Sequence, residues 1–544
     1  MFSIQIRQVL ICSILLLCLY GHNLAQDVIT KLTMSEAFKV PKNSEVDRII
    51  TTVGNNAYFL RKNFNLSGLV SSITIENYDI EKLRLKKAVG IDLHYRKKLR
   101  VFHDVFKVGD KFYLITSFFN IGKSKNYLFA QELDARFEPK EDLILIGEID
   151  SRNESQIGDF QIKHSRDSSK VIIYQNIPSK KSEPQQAKVS IYDDNLELLW
   201  DKKIKFPYES KLYRSIKFEV DNIGNAYLLG KRFFEKEKDI IDNKPNFEFI
   251  LVAYTERGEK VDRYQLKDNK KLITDMTFEV NKKDELICTG FYTNKTKSFN
   301  GFSSSESIQG IVYFKVDNIG KKVEEKTFSE FDLDFITLNE TDRTKSIELN
   351  RSTDKSTRND PALYSYDFRD VILRSDGGAV VIAEQYYVEE FNRTPNTFNR
   401  GFNNRTFQTT TVSNYNVIIV INIRPDGSIQ WANSVPKYQT AANAQSERFV
   451  SFANANIGDK IYFIFNEERS VLEGNNKLFK NQNQNALALA ELNKRGELSI
   501  SMIGGNEDLK SVIVPTLTKQ ISKNQFLVFG LERNKFRIGR VELN

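Results

Sequence analysis

Side chains that commonly carry catalysis or hold metals are sparse in this chain. Beyond residue 25 only three histidines occur, His94, His103 and His164, and none has the spacing of a paired metal ligand such as H-x-x-x-H, so a zinc site is not expected. One cysteine remains in that stretch, Cys288, within the apolar run Leu286-Ile287-Cys288-Thr289-Gly290. No cation or histidine beside it in sequence would draw down its pKa, so it reads as a buried structural thiol. There is no G-x-S-x-G elbow, no P-loop and no G-x-G-x-x-G. Asp-containing segments such as Asp221-Asn-Ile-Gly224 and Asp317-Asn-Ile-Gly320 lack the alternating ladder and distant Glu of a calcium loop. Neither a metal nor a cofactor is expected.

One segment is chemically biased. From Phe391 to Phe407 it carries three arginines and no lysine or acid, with cations alternating with aromatics. The candidate binding residues are Arg393, Phe398, Arg400, Phe402, Arg405 and Phe407. Guanidinium groups pair with carboxylates or phosphates, and Phe faces stack on sugars or peptides, which suits an anionic glycan or a protein partner. The competing reading is a hairpin extension whose Phe side chains pack on neighbouring structure. Two basic runs, Lys82 to Lys87 and Arg96 to Arg100, alternate with Leu and suit the solvent side of strands. With 79 basic against 71 acidic residues, a net charge of +8, no nucleic-acid partner is expected.

The elements that must position these residues are strands. The chain is 40% hydrophobic and 28% charged, a globular composition, and its 39 Phe and 22 Tyr favour β-structure over helical bundles. Strand-like runs of 6 to 10 residues fill the chain beyond its N-terminal segment. Arg214 to Gly230 and Glu45 to Leu60 show the unit well, since both place Gly and Asn between two strands. With first strands beginning near Glu45, Val101, Ile157, Tyr213, Ile273, Tyr366, Glu447 and Val512, the spacing is 56 three times, then 60, 93, 81 and 65. Such a period signals repeated units, and four antiparallel strands per unit is what a β-propeller requires. The expected fold is all-β, a propeller of eight four-stranded blades, with seven as the alternative and a pair of β-sandwiches as the weaker competitor. The last unit supplies only three strands, so residues 28 to 34 are expected to close it and cover its free edge.

Residues 1 to 25 resemble a signal peptide: Arg7, then an apolar run from Val9 to Gly21 that is too short to span a bilayer, then Asn23-Leu24-Ala25. An exported protein is expected, periplasmic, cell-surface or secreted, with residues 26–544 forming a single propeller domain and no transmembrane helix. After cleavage no disulfide can form, and a monomer stabilised by burial is expected.

Within each blade, alternating strand direction puts the second-to-third connection and the blade-to-blade crossing on one face. The long connections fall in that class: Phe233 to Phe247, 294–309, 329–365, 391–412 and 467–485. Of these, 329–365 carries eight acids against five bases and is expected to contain a short helix near Phe331 to Leu338. Long loops on a rigid scaffold form a recognition surface. Asn422 to Gln439, with Lys460 to Asn466 and Phe536 to Asn544, is similar to segments of uncharacterised exported bacterial β-propeller-like proteins. That resemblance implies export and a strand-rich repeat fold and no catalytic residues; Trp431 within it reads as a blade-core aromatic. The expected function is non-catalytic: an exported binding or scaffold protein that contacts a protein or glycan partner through its long-loop face, or an envelope assembly component. The alternative is an exported glycan-active hydrolase or lyase with carboxylates gathered at the central channel from different blades.

Overall fold

Alternating polar and apolar residues produce the inner strands. In Tyr213–Val220 the side chains of Phe218 and Val220 are buried while Lys217 and Glu219, alternating with them, keep some exposure, the two-residue period of a pleated strand. The following strand, Ala226–Phe233, is apolar for its first four residues and buried on both faces, as a central strand between two neighbours must be. The computed structural model describes residues 30–95, 97–151, 157–241, 244–268, 271–294, 307–316, 326–339, 362–393, 408–468 and 485–543.

Eight four-stranded antiparallel sheets are formed, and the fold is a β-propeller of eight blades. The first strands of the blades, hereafter the inner strands, begin at Ser44, Val101, Asp159, Tyr213, Lys271, Tyr366, Ala453 and Val512. Seven of the eight lie within two residues of the positions read from the period. The exception is the seventh. Glu447 ends a one-turn helix, Ala444–Glu447, which Asn443 and Ser446 cap reciprocally, and the strand starts only at Ala453. The short helix in the fifth-to-sixth crossing is present as Leu333–Leu338.

Two compact units divide the chain. Lys39–Ser451 holds blades one to six, and Met1–Phe38 with Phe452–Asn544 holds blades seven and eight. In the second of these units Thr30–Met34 pairs antiparallel with Lys535–Leu543, with Thr30 opposite Leu543 and Met34 opposite Gly539. Ser35 continues the join: its N–H donates to Ile538 O at 2.8 Å, its Oγ accepts from Ile538 N at 3.1 Å, and its carbonyl accepts from Arg537 at 2.8 Å. The expected N-terminal closing strand is thus present, beginning at Thr30 among the described residues.

Cores lie between adjacent blades. One cluster joins Tyr227, Leu229 and Phe249 of blade four to Phe278, Leu286 and Phe314 of blade five. Another joins Ile287, Phe291 and Tyr313 of blade five to Val381, Ile419 and Ile421 of blade six. Blade five therefore buries both faces, one against blade four and one against blade six, and such a sheet could not be stable alone.

The short turns are built by Asx chemistry. Asp221 Oδ1 accepts from Ile223 N at 3.1 Å and Asn225 N at 2.7 Å, and Gly224 takes φ of 92°, a conformation that side chains with a Cβ rarely adopt. Asn281, Asp134, Asp193 and Asn493 repeat the arrangement. These side chains are committed to their own backbone. Trp431 departs from expectation: it is half-buried on the outermost strand of blade six, Ile429–Val435, and not in a blade core. Trp200 fills the core role instead, with its Nε1 donating to Gly224 O of the next blade at 2.8 Å.

Candidate functional site

The inner strands of blades three to six line a cavity of about 510 Å³. Its wall is built from Lys163, Lys217, Asp275, Thr277, Glu279, Asp367, Arg369 and Asp370, together with Ile216, Met276, Phe368 and Val371. A propeller places its first strands around the axis, so the polar half of each alternating strand faces that space while the apolar half packs between blades. Along the same walls a second space of about 370 Å³ adds His164, Arg166 and Glu219.

Adjacent blades clasp one another with a repeated pair of contacts. Lys163 Nζ of blade three reaches Glu219 of blade four at 2.7 Å and stands 5.1 Å over the Phe218 ring. Lys217 of blade four bridges Glu279 of blade five and stands 5.3 Å over the Phe278 ring. Lys217 also lies 3.6 Å from Glu219, which links the two clasps into one chain of alternating charge. Burial raises the Glu279 carboxyl, and Lys217 opposes that rise. Arg369 of blade six donates to Glu384 at 2.8 Å, and Glu384 in turn meets the fully buried Lys437 at 2.7 Å. Lys163, Lys217 and Arg369 are therefore paired.

Two carboxylates stand apart from this chain. Asp275 follows a bulge after Ile273 in its inner strand, and its Oδ1 accepts from Met276 N at 2.8 Å. It keeps a minor part of its surface open, towards the cavity it lines, and is otherwise enclosed. Desolvation pushes its pKa up to about 6, and the nearby charge of Asp367 adds to this. Asp367, next to the long-loop end of blade six, is also raised by desolvation, with Arg369 opposing and Glu384 reinforcing the shift. Among the described residues neither forms an ion pair. Such a pair can accept hydrogen bonds from hydroxyl groups or face a cationic group, and Asp275, at about 6, can exchange a proton near neutral pH.

Of the residues picked out by sequence, Arg393 lies at the end of a long strand, Ala379–Arg393, which pairs with Gln408–Ile423 in an extended hairpin. The side chain of Arg393, and Phe398, Arg400, Phe402, Arg405 and Phe407 entirely, lie outside the described residues. So do residues 1–25 and much of 294–309, 329–365 and 467–485. The histidines are dispersed. His94 Nδ1 meets Asp92 at 2.7 Å, His103 Nε2 meets Ser117 Oγ at 2.8 Å, and His164 packs edge-on against Phe106, with burial lowering the pKa of the last two. Cys288 is buried in the core shared by blades four and five, and desolvation raises its thiol strongly. No group of three or more metal-ligating side chains occurs among the described residues. No helix among them is long and apolar enough to cross a membrane.

Sequence reasoning did not single out Lys163, Lys217, Asp275 or Asp367, since nothing in composition separates two carboxylates from 71. A usable signal did exist. Phe218-Glu219-Val220 and Phe278-Glu279-Val280 recur 60 residues apart at the same point of successive inner strands, which marks these strands as sharing one wall.

No sequence family matches the chain, and no curated protein matches it. Solved structures are similar at low level. A member of the DUF4221 family from Bacteroides vulgatus has 11% identity and a TM-score of 0.30, covering 87% of this chain and 99% of that one. The β-propeller domain of the Trilobed protease from Pyrococcus furiosus has 9% identity and a TM-score of 0.33, covering 87% and 98%. An ulvan lyase has 9% identity and a TM-score of 0.34, covering 92% and 95%. Matching structures thus range over hydrolases, lyases, proteases and proteins of unknown function, and they single out no activity for this chain.

Proposed function

We propose that the protein is an exported binding module that engages a protein or an anionic glycan through the long-loop end of blades four to six. The observation that supports this most is topological. In these three adjacent blades the extended connections, between Phe233 and Phe247, between Asn294 and Ser307, between Glu330 and Ala362, and between Arg393 and Gln408, all leave at the same end of the sheets. The hairpin carrying the last of them is the longest pair of strands described, Ala379–Arg393 with Gln408–Ile423. It is a stiff arm that would hold the Arg- and Phe-rich segment away from the blade body. Export itself rests on the leader-like residues 1 to 25.

The test is removal of residues 394–407 with a short Gly-Ser bridge. Retention on an immobilised uronate or sulfated polysaccharide, and capture of partner from envelope extracts, should fall while thermal unfolding stays within about 2 °C, because no described core residue is lost. Unchanged retention and unchanged capture would refute the proposed face.

A glycan-active enzyme is the second reading, supported by the open polar cavity and by Asp275 with a pKa near 6 beside Asp367. It predicts release of new reducing or unsaturated ends from a polysaccharide, abolished by Asp275→Asn. Absence of turnover across uronate and neutral glycans would leave the binding reading standing alone.

A further inference from the structure

The cavity between the inner strands holds an imbalance of charge that the rest of the wall has already excluded from itself. Each cation near Asp275 and Asp367 is committed elsewhere. Lys163 is held by Glu219 at 2.7 Å, Lys217 by Glu279 and Glu219, and Arg369 by Glu384 at 2.8 Å. Lys231 of blade four, the cation whose charge acts on Asp275, is held by Asp239 at 2.7 Å and lies 3.8 Å over the Phe247 ring. Taking Asp275 alone, the charged groups acting on it are Asp367, Lys231 and Asp239, and for Asp367 they are Arg369 and Glu384. Two carboxylates from neighbouring blades thus face one polar space, and among the described residues neither is in an ion pair, Lys231 and Arg369 acting on them only while paired with other acids. Burying such charges unpaired is costly, and a protein gains nothing structural from it. The space, about 510 Å³, is of the size that accommodates small ligands and solvent.

We infer that this cavity is a receptor site for an organic cation, an ammonium or guanidinium group seated between Asp275 and Asp367. Both donor types present several N–H groups on a positive charge, the complement of two carboxylates, and guanidinium can bridge them with a planar fork. Lys217 and Arg369 would not be displaced, since each keeps its own carboxylate. Anionic ligands are disfavoured here because the unpaired charges of the wall are negative. The site is independent of the Arg- and Phe-rich loop, so it can fail or succeed without bearing on that face.

The chemistry has two sources, a free amine or a basic side chain of a peptide, and the probes separate them. Isothermal titration calorimetry on the full chain at low salt would use agmatine and cadaverine as free cations, capped tripeptides with a central Arg or Lys as side chains, and 1,5-pentanediol as the uncharged control. Saturable binding is expected for the cations and none for the diol. If only the ionised carboxyl binds, a group titrating at about 6 is roughly one-tenth ionised at about pH 5 and almost fully at about pH 7.5, so affinity should drop about tenfold between them. Asp275→Asn and Asp367→Asn should each weaken binding at least about tenfold, the loss of one charge-assisted contact. Asp110→Asn, fully exposed on a turn of blade two, should change nothing. Preference for agmatine or cadaverine identifies a free amine, and preference for the capped peptides a partner's side chain. The inference is overturned by absence of saturable binding for all four cations, by equal binding of the diol, or by binding that both Asn variants retain while their circular dichroism shows them folded.

Discussion

Lys437→Met offers the sharpest test of how blade six is held together. Lys437 and Glu384 are both 0% exposed, and the ammonium has three acceptors: Glu384 at 2.7 Å, the Tyr415 carbonyl at 2.7 Å and Gln439 Oε1 at 2.9 Å. Glu384 Oε2 accepts from Arg369 and from Ser451 Oγ at 2.9 Å, while Oε1 forms the ion pair with the Lys437 ammonium. Removing Nζ leaves Gln439 Oε1 satisfied, because it also accepts from Ser451 N at 2.6 Å. The damage falls on Glu384, a fully buried carboxylate left with only its Arg369 and Ser451 contacts. Breaking a buried pair from one side costs about 3–5 kcal/mol, whereas replacing both partners by apolar groups is often close to neutral. Lys437→Met should therefore destabilise by about 3–5 kcal/mol, and adding Glu384→Leu should recover a large part of it, less whatever Arg369 loses. Urea unfolding followed by tryptophan fluorescence would measure this, with Trp431 reporting from the same blade. A single variant within about 1 kcal/mol of wild type, or a double variant no better than the single, would refute the reasoning.

The acidic pair and the tight inter-strand packing give two further outcomes. The Asp275 carboxyl titrates near 6 when folded, above its unfolded value, so the stability it contributes is complete below about pH 4 and is lost as pH rises through about 6. Asp275→Asn should consequently be more stable than wild type by about 1–3 kcal/mol at about pH 7.5 and equal to it at about pH 4, a difference read by parallel thermal melts. In blade four, Gly230 lies under the Tyr213 ring, which itself stacks on Phe206 at 4.4 Å, so a Cβ at 230 would collide with the tyrosine. Gly230→Ala should cost about 1–3 kcal/mol, and Tyr213→Leu should cost less in that background than alone, a non-additivity that a double-variant cycle measures.

The repeat was legible because each blade must solve the same packing problem. Phe218-Glu219-Val220 and Phe278-Glu279-Val280 place their apolar residues between blades and their acids towards the axis, and that demand imprints a period on the chain. The Asx turn at Asp221 was legible for a local reason, since its side chain bonds backbone two to four residues ahead, and the structure shows the same chemistry at Asn281 and Asp193. The strand near Glu447 was misplaced because Asn443 and Ser446 cap a one-turn helix whose residues look no different from a strand approach. Trp431 was misjudged because the outermost strand of a blade carries apolar residues on a surface only one neighbour covers.

Sequence by itself pointed to eight repeated sheets in order, with seven as the alternative, to a closing strand within residues 28 to 34 and to the end of the blades from which the insertions depart, all of which follow from local alternation and turn chemistry. Only the tertiary structure decided which charges meet. Lys163, Glu219, Lys217 and Glu279 find one another, and Asp275 and Asp367 are left unmatched, because residues some 50 to 90 positions apart become neighbours across the cavity. Coulomb energy and desolvation depend on that distance and enclosure, and neither is written in the spacing of the residues along the chain.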